Sequence, residues 1–518
     1  MLTLVVFSTF DALAVEGWKW FSPVQPPRAV AVAACPGPKP WAPPNTRPAI
    51  AGAIEDHLEW LVVDVCRTKD DVLVLFKNAK DLALSTNGKG AVRDTTAAEL
   101  RRLDAGAAFA TRFQGERILT LEECFSLCKD KINLVLDCRG VEPVALAKQI
   151  TSADMENQVV VFDGLENLRK VREASEGRVP VMSRWRPSGK DEVWMDIAKF
   201  VAKERPAMVQ IDVQDLTAEI CQRFQSFGVL VLGRAAGDKD QEEYWDKAVS
   251  RGVNVLQTGL PEEVLAQQVV RRVPRRPVRF CLHRGASRYV PENTIAAVEK
   301  SLRLAADYVE LDIRTSGDGE LFILHDATVD RTTDGQGPIA RMSSDAIGNL
   351  DAGIRFGEPF RGMRVPRFEE CMKAMDGKIQ FYADAKNLAA ADLVRVLQKY
   401  DYVDRTVIYQ GPAFLAEVKR LEPRAKVMPP LVTSAAVDVL AKTLRPYAVD
   451  ASWNILSKKL IDRCHAHGMR VFSDAPDEDL GLEPYQRVIE WGIDLIQTDR
   501  PLDVLRAIEV LGHKEAKP

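Results

Sequence analysis

Six histidines occur among 518 residues. His283, His325, His57, His465, His467 and His513 are therefore the only side chains with an unperturbed proton affinity near neutrality, and their positions bear on acid–base chemistry. Two of them close short apolar runs that read as strands: His283 follows residues 278–282, and His325 follows residues 321–324. Between them, Glu310 and Asp312 lie two apart in Tyr308-Val309-Glu310-Leu311-Asp312-Ile313. A strand alternates its side chains, so both carboxylates leave the same face. Two acids on one buried face repel unless a cation neutralises them, and an all-oxygen ligand set favours Mg²⁺ or Ca²⁺ over zinc. Asp384 and Lys386 repeat the two-apart spacing in Phe381-Tyr382-Ala383-Asp384-Ala385-Lys386. They offer a third oxygen ligand and a cation for a phosphate. His465 and His467, two apart on a predicted helix, do not face each other and read as surface residues.

The elements that must position these groups alternate between short β-rich runs and amphipathic helical stretches. The β-rich runs include residues 309–315, 321–324, 379–385, 406–409, 470–473 and 495–498. Such alternation signals a parallel α/β fold. About 235 residues in this rhythm suit a (β/α)8 barrel of the TIM type, with its site at the C-terminal ends of the strands. A doubly wound open sheet is the structural alternative.

The chain is also a tandem duplication, with the same landmarks in the same order in both halves. Pro43-Pro44-Asn45-Thr46 matches Pro291-Glu292-Asn293-Thr294, and Leu103-Asp104-Ala105-Gly106 matches Leu350-Asp351-Ala352-Gly353. Glu122-Glu123-Cys124 matches Glu369-Glu370-Cys371, and Leu256-Gln257-Thr258 matches Ile496-Gln497-Thr498. Two tandem (β/α)8 barrels are therefore expected: 28–270, then a basic, proline-containing linker at 271–277, then 278–511, with a tail at 512–518. Residues 1–27 form an N-terminal segment in which an apolar run, 2–10, precedes Ala12-Leu13-Ala14. That pattern reads as a signal peptide without its basic region and points to export rather than a cytoplasmic location. It is too short to span a bilayer. A net charge of −4 gives no general attraction to nucleic acid or anionic membranes. Nine scattered cysteines lack paired zinc spacing and do not form a disulfide framework.

Taken together, the second-half motifs resemble those of the glycerophosphodiester phosphodiesterase family. They read His283-Arg284-Gly285, Pro291-Glu292-Asn293-Thr294, Glu310-Leu311-Asp312, His325-Asp326, Asp330-Arg331-Thr332-Thr333 and Thr498-Asp499-Arg500-Pro501. The resemblance implies a PLC-like phosphodiesterase barrel holding one divalent cation, Ca²⁺ or Mg²⁺, on Glu310, Asp312 and Asp384. It implies His283 and His325 as the acid–base pair, Arg284 and Lys386 as phosphate-binding groups, and sn-glycerol 3-phosphate and an alcohol as products. A small glycerophosphodiester is the expected partner. Two departures stand out. Asp384 occupies a position where the family usually has Glu, shortening the side chain by about 1.5 Å, one C–C bond. Phe472, in Val471-Phe472-Ser473-Asp474, replaces the family's usual Trp-Thr pair and is expected to form an apolar wall for glycerol. Glu292 is expected either at a helix entry capped by Asn293 or Thr294, or behind the catalytic groups. The Gly-rich segment 334–364 resembles an insertion beside the active site.

Aligned on this pattern, the first half has Cys35-Pro36-Gly37 in place of His283-Arg284-Gly285, and Phe76-Lys77 in place of His325-Asp326. Both candidate catalytic histidines are gone, while Asp137 and Arg139 fall on Asp384 and Lys386 as a basic remnant. The first half reads as a degenerate, non-catalytic copy. Two other functions compete with diester hydrolysis: a glycerophosphodiester or phospholipid binding protein without turnover, and a phospholipase-like lipid phosphodiesterase on the same barrel.

Overall fold

The computed structural model describes residues 18–34, 42–187 and 193–515. The expected signal segment, residues 1–14, and Cys35-Pro36-Gly37 lie outside the described residues. The chain forms two compact units that divide near Leu265, within the helix Pro261–Arg272.

In the N-terminal unit the strands are β1 (Ala31–Ala34), β2 (Trp60–Arg67), β3 (Leu73–Leu75), β4 (Asn133–Cys138), β5 (Val159–Phe162), β6 (Val181–Arg184), β7 (Met208–Asp212), β8 (Leu230–Arg234) and β9 (Val255–Thr258). Their order is β1-β9-β8-β7-β6-β5-β4-β2-β3, and β1 also pairs with β2, so the sheet closes. All pairings around the ring are parallel; only β3 lies antiparallel, as an extension of β2. Parallel neighbours need crossovers, and helices such as Pro143–Ser152 and Leu165–Ala174 supply them on the outside. Trp60, Val62, Val135, Met182, Met208 and Leu232 fill the inside, making it a packed core rather than a pore.

The C-terminal unit repeats the plan with β10 (Arg279–Leu282), β11 (Tyr308–Thr315), β12 (Leu321–Ile323), β13 (Gln380–Ala385), β14 (Thr406–Tyr409), β15 (Lys426–Met428), β16 (Pro430–Leu431), β17 (Ala448–Ala451), β18 (Arg470–Asp474) and β19 (Leu495–Thr498). The order is β15-β14-β13-β11-β10-β19-β18-β17-β16, with β12 antiparallel on β11. β15 and β16 are one strand interrupted at Pro429. Consecutive prolines supply no N–H to the ladder, so β15 pairs only with β14 and β16 only with β17. Cys281, Tyr308, Tyr382, Met428, Phe472 and Leu495 fill this interior. Two tandem TIM-type barrels are what the sequence pattern leads one to expect, and the open-sheet alternative falls with the closure.

The insertion of the second barrel is pinned by the repeated Leu-Asp-Ala-Gly motif. Asp351 Oδ1 accepts from Gly353 N (2.9 Å) and Ile354 N (3.0 Å), and its Oδ2 accepts from Gly362 N at 2.8 Å. Asp104 makes the same three bonds with Gly106, Ala107 and Gly115. A side chain is excluded at Gly353, where a Cβ would stand 1.8 Å from the Phe360 carbonyl oxygen. Two boundaries differ from expectation. The helix Pro261–Arg272 takes in the first two residues of the expected linker, and the last helix, Pro501–Glu515, runs past Leu511.

Candidate active site

The His283-Arg284-Gly285 segment is a tight turn at the end of β10. Arg284 and Gly285 both adopt positive φ, 54° and 74°, and a Cβ at Gly285 would lie 2.6 Å from that of Ala297. Glycine is needed there because the helix Ile295–Arg303 comes so close. The turn aims backbone at the neighbouring strand: Arg284 N donates to Glu310 Oε2 at 2.6 Å, and Gly285 N donates to the Glu310 carbonyl at 3.0 Å.

Glu310 and Asp312 project together from β11, 2% and 1% exposed. β13 lies in register beside them, with Asp312 opposite Asp384. Glu310, Asp312 and Asp384 each offer a carboxylate oxygen, all within 4.8 Å of one another. Burial, compounded by Asp312, pushes Glu310 well above the usual carboxylate range. Burial likewise raises Asp384 even though Lys386 opposes it. Lys386 Nζ reaches Asp384 at 2.5 Å and Asp312 at 3.0 Å. One ammonium against three clustered acids leaves negative charge in excess, and hard oxygen donors at this spacing fit a divalent cation.

Asn293 holds Asp312 from behind. Its Nδ2 donates to Asp312 Oδ2 at 2.7 Å, and its Oδ1 accepts from Asp312 N at 3.2 Å. The helix cap at this point is Thr294, which accepts from Ala297 N. Glu292 pairs with Arg284 at 3.2 Å and with Arg331 at 2.7 Å, placing it behind the mouth's cations.

Both histidines are oriented through Nδ1 by a carboxylate. His283 Nδ1 lies 3.1 Å from Asp499 Oδ2, whose other oxygen accepts from Ser287 Oγ at 2.7 Å. His325 Nδ1 lies 2.7 Å from Asp326 Oδ1, and Arg331 Nε donates to Asp326 Oδ2 at 2.7 Å. Fixing Nδ1 selects the tautomer and leaves Nε2 for chemistry. Burial would depress the imidazolium of His283, but the Asp499 hydrogen bond and the charge of Glu310 outweigh it and raise its pKa to about 10. Arg331 and then His325 hold Asp326 far below the ordinary range. Phe472 is buried in the barrel interior against Tyr308, ring centroids 5.9 Å apart, beneath the polar mouth.

The sequence model of the Glycerophosphoryl diester phosphodiesterase family matches residues 37–175 and 283–503. The chain belongs to that family. A glycerophosphodiester phosphodiesterase of Caldanaerobacter subterraneus subsp. tengcongensis is 31% identical over 244 residues, covering 44% of this chain and 97% of the relative. A Bacillus subtilis protein of the same name is 26% identical, covering 42% of this chain and 82% of its own length. The crystal structure of glycerophosphodiester phosphodiesterase from Agrobacterium tumefaciens aligns at 27% identity with a TM-score of 0.42, covering 44% of this chain and 99% of that one. The family match in both halves agrees with the duplication read from the sequence. Among the described residues no helix is long and apolar enough to cross a membrane.

The sequence motifs assign no role to Asp499 and Asp326, although each stands in one of them. They also pass over Asp450 and Asp474, at the ends of β17 and β18. Burial, then neighbouring acids, push these to about 7 and about 6 respectively. Their strand-end placement was the available signal.

Strand register aligns the two barrels residue by residue. Asp64 pairs with Asp137 as Asp312 pairs with Asp384, which sets Val62 at the position of Glu310. Asn45 holds Asp64 through the same two bonds that Asn293 makes to Asp312. Phe76 N donates to the Asp64 carbonyl as Leu324 N does to that of Asp312. Lys77, not Phe76, therefore stands where His325 stands, one residue off the sequence alignment.

Proposed function

We propose that the C-terminal barrel, 278–511, hydrolyses glycerophosphodiesters to sn-glycerol 3-phosphate and an alcohol. The observation that carries this reading is the convergence of Glu310, Asp312 and Asp384, joined in one mouth by two histidines that are each oriented through Nδ1. Glu310, Asp312 and Asp384 would hold one Ca²⁺ or Mg²⁺, which when bound supplies charge stabilisation to the phosphoryl oxygens. Arg284 and Lys386 bind the remaining phosphate oxygens. Arg284 Nε makes no hydrogen bond among the described residues and lies 3.9 Å from Asp312 Oδ2, which sets the guanidinium beside the acidic trio. His283 and His325 move the two protons the reaction needs. One leaves the attacking oxygen as its bond to phosphorus forms, and one reaches the departing alkoxide as the old P–O bond breaks. Asp499 and Asp326 position the two rings. Glu292 ties Arg284 to Arg331, and Phe472 forms the apolar floor.

The N-terminal barrel, 28–270, is non-catalytic in this reading, because Lys77 stands in place of His325 and Val62 in place of Glu310. The reading predicts chelator-sensitive release of glycerol phosphate from glycerophosphodiesters. A His283→Ala variant that hydrolyses several such diesters at the wild-type rate would refute it. Faster cleavage of intact phospholipid than of the deacylated diester would reassign the substrate to lipids.

A further inference from the structure

The mouth of the N-terminal barrel opens on a cavity of about 590 Å³, within the range of small-molecule sites. Register shows how its chemistry departs from that of its twin. In the C-terminal barrel the strand ends carry Glu310, Asp312, Asp384, Asp450 and Asp474, opposed by Lys386. At the equivalent positions the N-terminal barrel carries Val62, Asp64, Asp137, Gln210 and Arg234, with Arg139 in place of Lys386. A further arginine, Arg184, pairs with Gln210 where Pro430 pairs with Asp450. At these positions five acids and one cation have become two acids and three cations; Asp163 on the cavity wall adds a third acid, and Lys77 a fourth cation. The charge in excess at the strand ends is therefore negative in the C-terminal barrel and positive in the N-terminal one.

Two of these arginines are paired. Arg139 reaches Asp137 at 3.2 Å, and Arg234 reaches Asp212 at 2.7 Å. Arg184 is different: its Nε and Nη2 donate to one neutral acceptor, Gln210 Oε1, at 3.0 and 2.7 Å, and it makes no ion pair among the described residues. Gln210 is itself buried and fixed by Gln257, its Nε2 donating to Gln257 Oε1 at 2.9 Å. The network orients a guanidinium without neutralising it. Burial and the nearby Arg234 disfavour the charge of Arg184, the same conflict that Glu310 meets beside Asp312, with the sign reversed. Lys77, in the same cavity, has no ion pair among the described residues.

We propose that this mouth is a metal-independent binding site for a phosphate monoester dianion. Two unneutralised cations, Arg184 and Lys77, match its two negative charges. A fixed guanidinium fork suits a tetrahedral oxyanion. With Val62 in place of Glu310, Asp64 and Asp137 alone remain of the acidic trio, so the ligand is held by side chains and not through a cation. Among the described residues no histidine stands in this mouth, so the ligand is bound and not turned over. The inference does not depend on the activity proposed for the other barrel.

The test is calorimetric titration of the full-length protein, in EDTA and at low salt, with inorganic phosphate and with sn-glycerol 3-phosphate. One site is expected. A K77Q/R184Q double variant should bind at least about tenfold more weakly, since two charge-assisted hydrogen bonds are lost, whereas K77R, which keeps both charges and the Arg184 fork, should retain binding. Neither residue belongs to the packed core, and an unchanged melting temperature will show that the fold is kept. K386Q, in the other barrel, should leave this binding unchanged. Tighter binding of glycerol 3-phosphate than of phosphate would identify an esterified ligand, and equal affinities would identify the phosphate group alone as what is read. The proposal is overturned if neither phosphate nor glycerol 3-phosphate binds, if K77Q/R184Q binds as wild type does, or if K386Q abolishes the signal.

Discussion

Replacing Glu310 by Gln separates the two demands that the acidic trio makes on the protein. Without a cation, Glu310 is buried within 4.8 Å of two other carboxylates. At an effective dielectric of about 20, two unit charges that far apart repel by about 3.5 kcal/mol. Lys386 offsets part of this, and protonation of Glu310 relieves more, so a net gain of about 1 to 3 kcal/mol is expected for E310Q in EDTA. Glutamine keeps an oxygen for the 2.6 Å bond from Arg284 N, so the loss is of charge and not of packing. The sign follows from the raised pKa. A carboxyl that holds its proton more tightly when folded destabilises the fold increasingly as pH rises above its unfolded value, so the advantage of E310Q should grow with pH and vanish in acid. With Ca²⁺ or Mg²⁺ the order reverses, because saturation at about 100 times the Kd stabilises the wild type by about 2.7 kcal/mol and the variant has lost a ligand. Thermal melts with and without metal read both effects without an activity assay. If E310Q melts lower than wild type in EDTA, or gains as much from metal, the acids are not a cation site.

Three further outcomes are expected. Asp384→Glu extends the carboxylate into the trio and should tighten divalent-metal binding, measured by titration of the metal-dependent melting shift; weaker binding would remove Asp384 from the ligand set. Asp499→Asn frees the ring of His283, and kcat should fall by about 100-fold or more with KM little changed. In the metal-free protein the same change should bring the imidazolium, which otherwise persists to about pH 10, back toward its ordinary range by NMR, and the stability it supplies below about pH 6.5 should no longer extend upward. Gly353→Ala drives a methyl onto the Phe360 carbonyl and should cost about 2 to 4 kcal/mol in denaturant titrations; a neutral effect would show that the loop is loosely held.

Much of this was legible in the sequence because strands impose a two-residue period. Glu310 with Asp312 and Asp384 with Lys386 share faces for that reason alone, and strand-end histidines fall at the mouth of a barrel. What escaped depends on neighbours distant in the chain. Asp499 meets His283 across 216 residues, and no local pattern announces that contact. Asn293 reads as a helix cap by type, but its positive φ turns the side chain onto Asp312 and leaves capping to Thr294. The one-residue slip at Lys77 arose because local similarity is weak there, whereas the backbone bond from Phe76 to Asp64 fixes the register.

The interruption at Pro429 has a consequence for how the C-terminal barrel breathes. In the N-terminal barrel β6 is continuous and bonds to both neighbours. In its counterpart, β15 pairs with β14 and β16 with β17; the Val427, Pro429 and Leu431 carbonyls accept from Tyr447 N, Asp450 N and Ser452 N, but Pro429 and Pro430 have no N–H to donate back. The ring of hydrogen bonds thus has a seam, and the seam ends at an acid of the mouth. Amide exchange should be fastest there among the barrel strands. A closed barrel whose weakest joint borders its own pocket can loosen that wall while the rest of the ring stays bonded.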